Sequence, residues 1–122
     1  MILINYLANN GYNYDGSTGG DDDKIGKSLA STSGWFTGTN EGAVGNTDYP
    51  SYRNKSDFTA LPGGAHKGDG SWHSAGNIGY FWGTTELAAD FVWSRSLWDN
   101  GTGFGKTMSE KKDGHSIRCL KD

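Results

Sequence analysis

The sequence predicts an α+β domain: one or two helices, then four or five short strands and long loops. Three observations carry this. Helical spacing is confined to the first third of the chain. Runs of aromatic and β-branched residues follow, each bounded by glycine turns. Twenty glycines against two prolines fit a chain of many turns, and five Trp, six Tyr and five Phe offer large burial from few side chains. At 122 residues, a single domain spanning 1–122 is expected.

Residues 1–9, MILINYLAN, place Ile2, Leu3, Tyr6 and Leu7 on one helical face, and Asn9-Asn10-Gly11 is a stop signal. A loop follows, ending in Asp21-Asp22-Asp23. These aspartates are expected at the start of a short helix over 24–30, where the dipole favours acidic side chains. They lack the alternate spacing of a calcium loop. Residues 31–56 are a long polar loop in which Trp35 is expected to pack inward. Phe58 to Leu61 reads as a strand stopped by Pro62, and Gly79 to Thr85 as an aromatic strand. Phe91 to Trp98 alternates, with Phe91, Trp93, Arg95 and Leu97 on one side and Val92, Ser94, Ser96 and Trp98 on the other. Asp99-Asn100-Gly101 is a hairpin signal, with Phe104 to Met108 pairing back. Ser116 to Leu120 is the last strand, with Ile117 and Cys119 facing one side.

Charge and hydropathy narrow the function classes. A net charge of −3 without a basic stretch argues against nucleic acid as partner. No apolar run approaches the length of a membrane span, so no membrane contact by this chain is expected. Residues 1–9 do not read as a signal peptide, so any export signal or anchor is expected outside this chain.

FTALPGGAHKGDGSWHSAGNIGYFWGTTE (58–86), SRSLW (94–98) and GHSIRCLKD (114–122) together resemble the Fibrobacter succinogenes major paralogous domain. The matching positions include Phe58, Ala60 to Gly64, Asp69 to Ser71, Gly79, Tyr80, Trp82, Glu86, Arg95, Leu97, Gly114, Ser116, Arg118 and Cys119. The likeness extends from about Lys24 and is carried by the order and spacing of several blocks. It implies a C-type-lectin-like fold with a short twisted antiparallel sheet, and a secreted or lipid-anchored protein at the surface of Bacteroidetes and their relatives. It implies no common activity. Against the family's pattern, the usual first strand and helix start are missing, Gly83 stands for a serine, and His115 stands for a core phenylalanine. In such a fold the first and last strands pair. Ser116 to Leu120 would therefore present an open edge able to pair with a neighbouring molecule.

The residues argue against catalysis. Cys119 is the only cysteine and is expected inside the fold, whereas the related formylglycine-generating enzymes use a cysteine pair. His66 and His73, with Asp69 between them, are expected to be solvated loop residues rather than metal ligands. Glu86 is expected to accept hydrogen bonds, with Arg95 or Arg118 as partner. Leu61-Pro62-Gly63-Gly64 lacks the Lys-Ser/Thr ending of a phosphate loop and reads as punctuation. Trp72 is expected to pack against the sheet; exposed, it would offer a sugar a flat apolar face. Trp98-Asp99-Asn100 reverses the polar pair of the Trp-Asn-Asp triplet in calcium-dependent lectins, and no companion triplet exists. No metal or cofactor is expected. The reading is a non-catalytic surface module binding glycan or protein through Trp72, His73, Trp98, Asp99 and Asn100. Its alternative is a structural or assembly module with no small ligand.

Overall fold

A computed structural model describes residues 2–117. Helix α1 (Ile2–Asn9) is followed by the single turn α2 (Gly26–Leu29) and a 3₁₀ turn at Pro50–Tyr52. Strands β1 (Ala65–His66) and β2 (Trp72–His73) form a small antiparallel hairpin. Strands β3 (Ile78–Ala88), β4 (Phe91–Trp98) and β5 (Gly105–Glu110) form an antiparallel sheet in the order β3-β4-β5. Two antiparallel sheets with little helix make the chain a small α+β protein, as its sequence predicts.

Helix α1 ends at the expected place. Asn9 and Asn10 donate their side-chain amides to the carbonyls of Asn5 and Tyr6, and Gly11 turns the chain with φ +80°. Its buried face is Ile4, Leu7 and Ala8 with Leu3 beside them, while Tyr6 is 57% exposed. The i, i+3, i+4 spacing around Ile4 thus replaces the face expected through Tyr6. Helix α2 is shorter than expected and starts at Gly26, so Asp21 to Asp23 do not reach its first turn. They bind the far end of the sheet instead: Asp22 accepts the N–H of Phe104 and Asp23 accepts the hydroxyl of Thr102.

The expected strand over 58–61 contracts to one parallel bridge, Ala30 with Ala60. Thr59 is left-handed at φ +55°, which a strand cannot contain. Asn54 holds it there, accepting the Thr59 N–H at 2.8 Å and donating to its hydroxyl at 2.9 Å.

Strand β4 has the bounds that its alternation predicts. Strand β3 runs past the expected end and carries register shifts after Trp82 and Glu86. A Cβ on Gly83 would lie 2.5 Å from the Trp93 carbonyl, so glycine at this position lets β4 approach closely. Strand β5 pairs back on β4 as expected, but the connection spans residues 99–104 rather than a two-residue turn.

Isolated bridges join the two sheets: Gly64 with Gly79, His66 with Gly114, and Phe81 with Ser116. The expected last strand therefore begins alongside β3, with Ser116 donating to the Tyr80 carbonyl and accepting from the Trp82 N–H. Ile117 is 74% exposed. The remainder of that strand, with Arg118 and Cys119, lies outside the described residues.

The core gathers Ile4, Leu7, Ala8, Ile25, Leu29, Ala30, Val44 and Ala60 against Phe81, Leu97 and Phe104. Phe81 is its centre, edge-on to Phe58 at 6.0 Å and to Phe104 at 6.2 Å. Trp35 packs against this cluster from the loop, as expected, and donates its indole N–H to Ser31. Aliphatic residues carry more of the core than the composition predicts, because several aromatics are spent on the surface. Lys27, in α2, is also fully enclosed. Its ammonium donates to the carbonyls of Asn46 and Asp48 and to the Asp48 carboxylate, fixing the loop over residues 42–48.

Candidate functional site: an exposed tryptophan on a braced hairpin

The β1–β2 hairpin is built on local backbone chemistry. Gly64 enters it at φ +66°, and a Cβ there would lie 2.1 Å from the His73 carbonyl. Lys67 N–H donates to Ser71 and Gly70 N–H donates to Lys67, closing the turn. Asp69 then braces the tip, accepting the Ser71 N–H at 2.9 Å and the Ser71 hydroxyl at 2.5 Å. The same hydroxyl lies 2.8 Å from His73 Nε2. These Ser71 hydrogen bonds, led by the hydroxyl, hold the Asp69 carboxyl below its usual range, so it is an acceptor at neutral pH.

Trp72 stands on this frame with 76% of its surface exposed, the most exposed large hydrophobic side chain among the described residues. It does not pack against the main sheet as expected. In a ladder of two residues per strand it pairs with His66, whose ring meets the indole edge-on at 4.5 Å. One broad apolar surface is therefore presented on the Trp72–His66 face, while Ser71 and His73, which alternate with Trp72 along the strand, meet each other on the opposite face.

Trp98, Asp99 and Asn100 follow the end of β4. Trp98 is 48% exposed and donates its indole N–H to Ser96. Asp99 and Asn100 are engaged with the protein. Asp99 accepts the Asn77 side-chain amide at 2.6 Å, and its carbonyl accepts the Gly45 N–H. Asn100 accepts the N–H groups of Thr39 and Asn40 through one oxygen, at 2.8 Å each. The Asn100 side chain and the Asp99 carbonyl clamp the loop over residues 38–46 onto the sheet. Among the described residues, no three His, Cys, Asp or Glu side chains group so as to hold a metal ion.

Two further features stand out, the first at a position already marked in the sequence as that of a core aromatic. His115 lies nearly parallel to Trp82 at 4.2 Å and to Tyr80 at 4.9 Å, so the imidazole fills an aromatic role in the packing. Both ring nitrogens are buried without a hydrogen-bond partner. Burial lowers the imidazole's proton affinity, opposed by the nearby Asp113 carboxylate and aided by Lys67. The second is a cleft of about 390 Å³ lined by Phe58, Thr59, Ala60, Leu61, Phe81, Ser116 and Ile117. Its signal in the sequence was hidden, because Phe58 to Leu61 reads as a strand rather than as a left-handed loop.

The charged pairs also rearrange. Glu86 takes Lys111 as partner rather than Arg95, and Arg95 donates to Asp22 at 2.6 Å. Arg95 is taken by Asp22, which the Phe104 contact carries to β4; Arg118, the other expected partner, lies outside the described residues. Compared with protein-family models, curated proteins and solved structures, the chain matches none.

Proposed function

We propose that the chain is a non-catalytic binding module of C-type-lectin-like type, similar to the Fibrobacter succinogenes major paralogous domain, and that it recognises glycan at a bacterial cell surface. The exposed, braced indole of Trp72 carries this reading. Pyranose rings offer a face of C–H groups and a rim of hydroxyls. Trp72 suits the face and the His66 ring widens that platform, while Asp69, Ser71 and His73 brace it from the other side of the hairpin. Trp98 is the second candidate contact, with Asp99 and Asn100 positioning its turn. A single stacking contact contributes about 0.5–1.5 kcal/mol, so single-site binding should be weak, near the millimolar range.

Glycan-array screening of the chain displayed at high density tests the reading. Binding that is abolished in Trp72→Ala and reduced in Trp98→Ala is the expected result. Array-wide silence, or binding indifferent to Trp72→Ala, would overturn it. The second reading, an assembly module, is favoured by one observation: the outer edge of β5 is open among the described residues.

A further inference from the structure

We infer that β5 is a self-pairing edge, joining two copies of this chain into one continuous six-stranded sheet through a two-fold axis at Met108. The sheet order β3-β4-β5 leaves β5 with a neighbour on one side only. Among the described residues no main-chain group pairs with its outer side over Gly105–Ser109. The open stretch has defined ends. Phe104 N–H donates to Asp22 before it, and the Glu110 carbonyl accepts the Asp113 N–H after it.

The pattern of side chains selects both partner and register. Successive strand residues point to opposite faces, so Lys106, Met108 and Glu110 share one face and Thr107 and Ser109 the other. Met108 is 57% exposed and lies across from Trp93 in the ladder, while the Lys106 ammonium sits 4.3 Å over the Trp93 ring. In an antiparallel pair, backbone groups that point outward must meet others that point outward. The two-fold axis therefore passes through a residue, never between two.

An axis at Lys106 would set that lysine opposite itself, and one at Gly105 would pair little of the strand, which leaves three centres within the open stretch. An axis at Thr107 sets Lys106 opposite the second copy's Met108 and leaves Glu110 unmatched. An axis at Ser109 sets Lys106 opposite Lys112, a like-charge contact. An axis at Met108 sets Lys106 opposite Glu110 twice, Thr107 opposite Ser109 twice, and Met108 opposite itself. Opposite charges across a ladder stabilise it and like charges oppose it. Glu110 already holds Lys112 of its own chain at 2.9 Å, so in the dimer its carboxylate is shared between Lys112 and the second copy's Lys106; on those terms charge complementarity picks a second copy of this chain, in one register. Charged side chains on an exposed edge normally oppose pairing; here the two signs stand two residues either side of Met108, so in this register they match. The edge is separate from the hairpin tip, so self-pairing and glycan binding stand or fall independently.

Sedimentation velocity over a concentration series tests the pairing. Each substitution counts twice in a two-fold dimer. K106E alone and E110K alone should each weaken association by about tenfold or more, and the double exchange K106E/E110K should restore it to within about threefold. Added salt should weaken the wild-type dimer, and amide exchange over Gly105–Glu110 should slow as protein concentration rises. Far-UV circular dichroism of the variants checks that they remain folded. W72A should dimerise like wild type. A monomer at every concentration, a dimer indifferent to both single reversals, or a folded double exchange that stays monomeric would each overturn the inference.

Discussion

Lys27 is a buried cation used as an organising centre. Its ammonium replaces water with three protein oxygens, from Asn46 and Asp48, and Asp48 also accepts the Gly42 N–H. Burial alone would raise the Asp48 carboxyl. The Lys27 ammonium and the Gly42 amide outweigh it and hold the carboxyl below its usual range. Lys27→Met keeps the length of the stem and removes the charge, leaving a carboxylate without its partner. The expected loss is about 3 kcal/mol, read as a lower urea midpoint. His115 gives a pH dependence of definite sign. Its proton affinity is lowered by folding from the ordinary value of 6.5, so the unfolded chain binds the proton first as pH falls. Its contribution is fully present above about pH 6.5 and is lost as the solution is acidified through the folded value. His115→Phe should flatten the denaturation midpoint between about pH 7 and 5, while keeping the stack on Tyr80 and Trp82. Neither side chain's burial was legible from its own letter. A lysine reads as surface, and only the oxygens of a distant loop make its enclosure tolerable.

At the scale of elements, the clamp between β4 and the loop over residues 38–46 is the most specific feature. Asn100→Ala removes the acceptor of two backbone N–H groups, with an expected loss of about 1–2 kcal/mol. Faster amide exchange at Thr39 and Asn40 is the measurement that checks it. Gly64→Ala should unseat the hairpin, since both the left-handed backbone and the His73 carbonyl exclude a side chain there. That substitution should abolish any Trp72-dependent glycan binding without unfolding the core, as judged by near-UV circular dichroism. Much of this layer was legible in advance. Phe91 to Trp98 shows its bounds because its alternation is uninterrupted, and Asn9-Asn10-Gly11 shows the helix end because its chemistry is local. Phe58 to Leu61 deceived because the conformation of Thr59 is set by Asn54, outside the run being read. Trp72 deceived for a related reason. Whether a tryptophan is covered depends on what crosses over it, and two-residue strands bring nothing across.

At the scale of the molecule, the described residues form one core with two separate outward features. Helix α1, α2 and the long loop close over Phe81 and Leu97, while the Trp72 hairpin and the β5 edge stand clear of it. Joining two copies at β5 would present two hairpin tips on one rigid body. Dense glycan surfaces should then bind the wild type more tightly than K106E, by about tenfold or more, while soluble monosaccharide binds both alike. Surface plasmon resonance on high- and low-density glycan chips separates these outcomes.

The glycines divide the chain into places that tolerate rewriting and places that do not. At Gly38 and Gly45, a methyl group would lie 2.4 Å and 2.1 Å from main-chain oxygens, so that scaffold admits no larger residue. At Gly70, on the hairpin tip, the space around the same methyl is open, and only the left-handed backbone at φ +90° still requires glycine. A combinatorial library randomising Trp72 and His73, with Asp69, Gly70 and Ser71 kept to hold the turn, would thus probe new specificities on an unchanged chassis, in the manner of a grafted paratope.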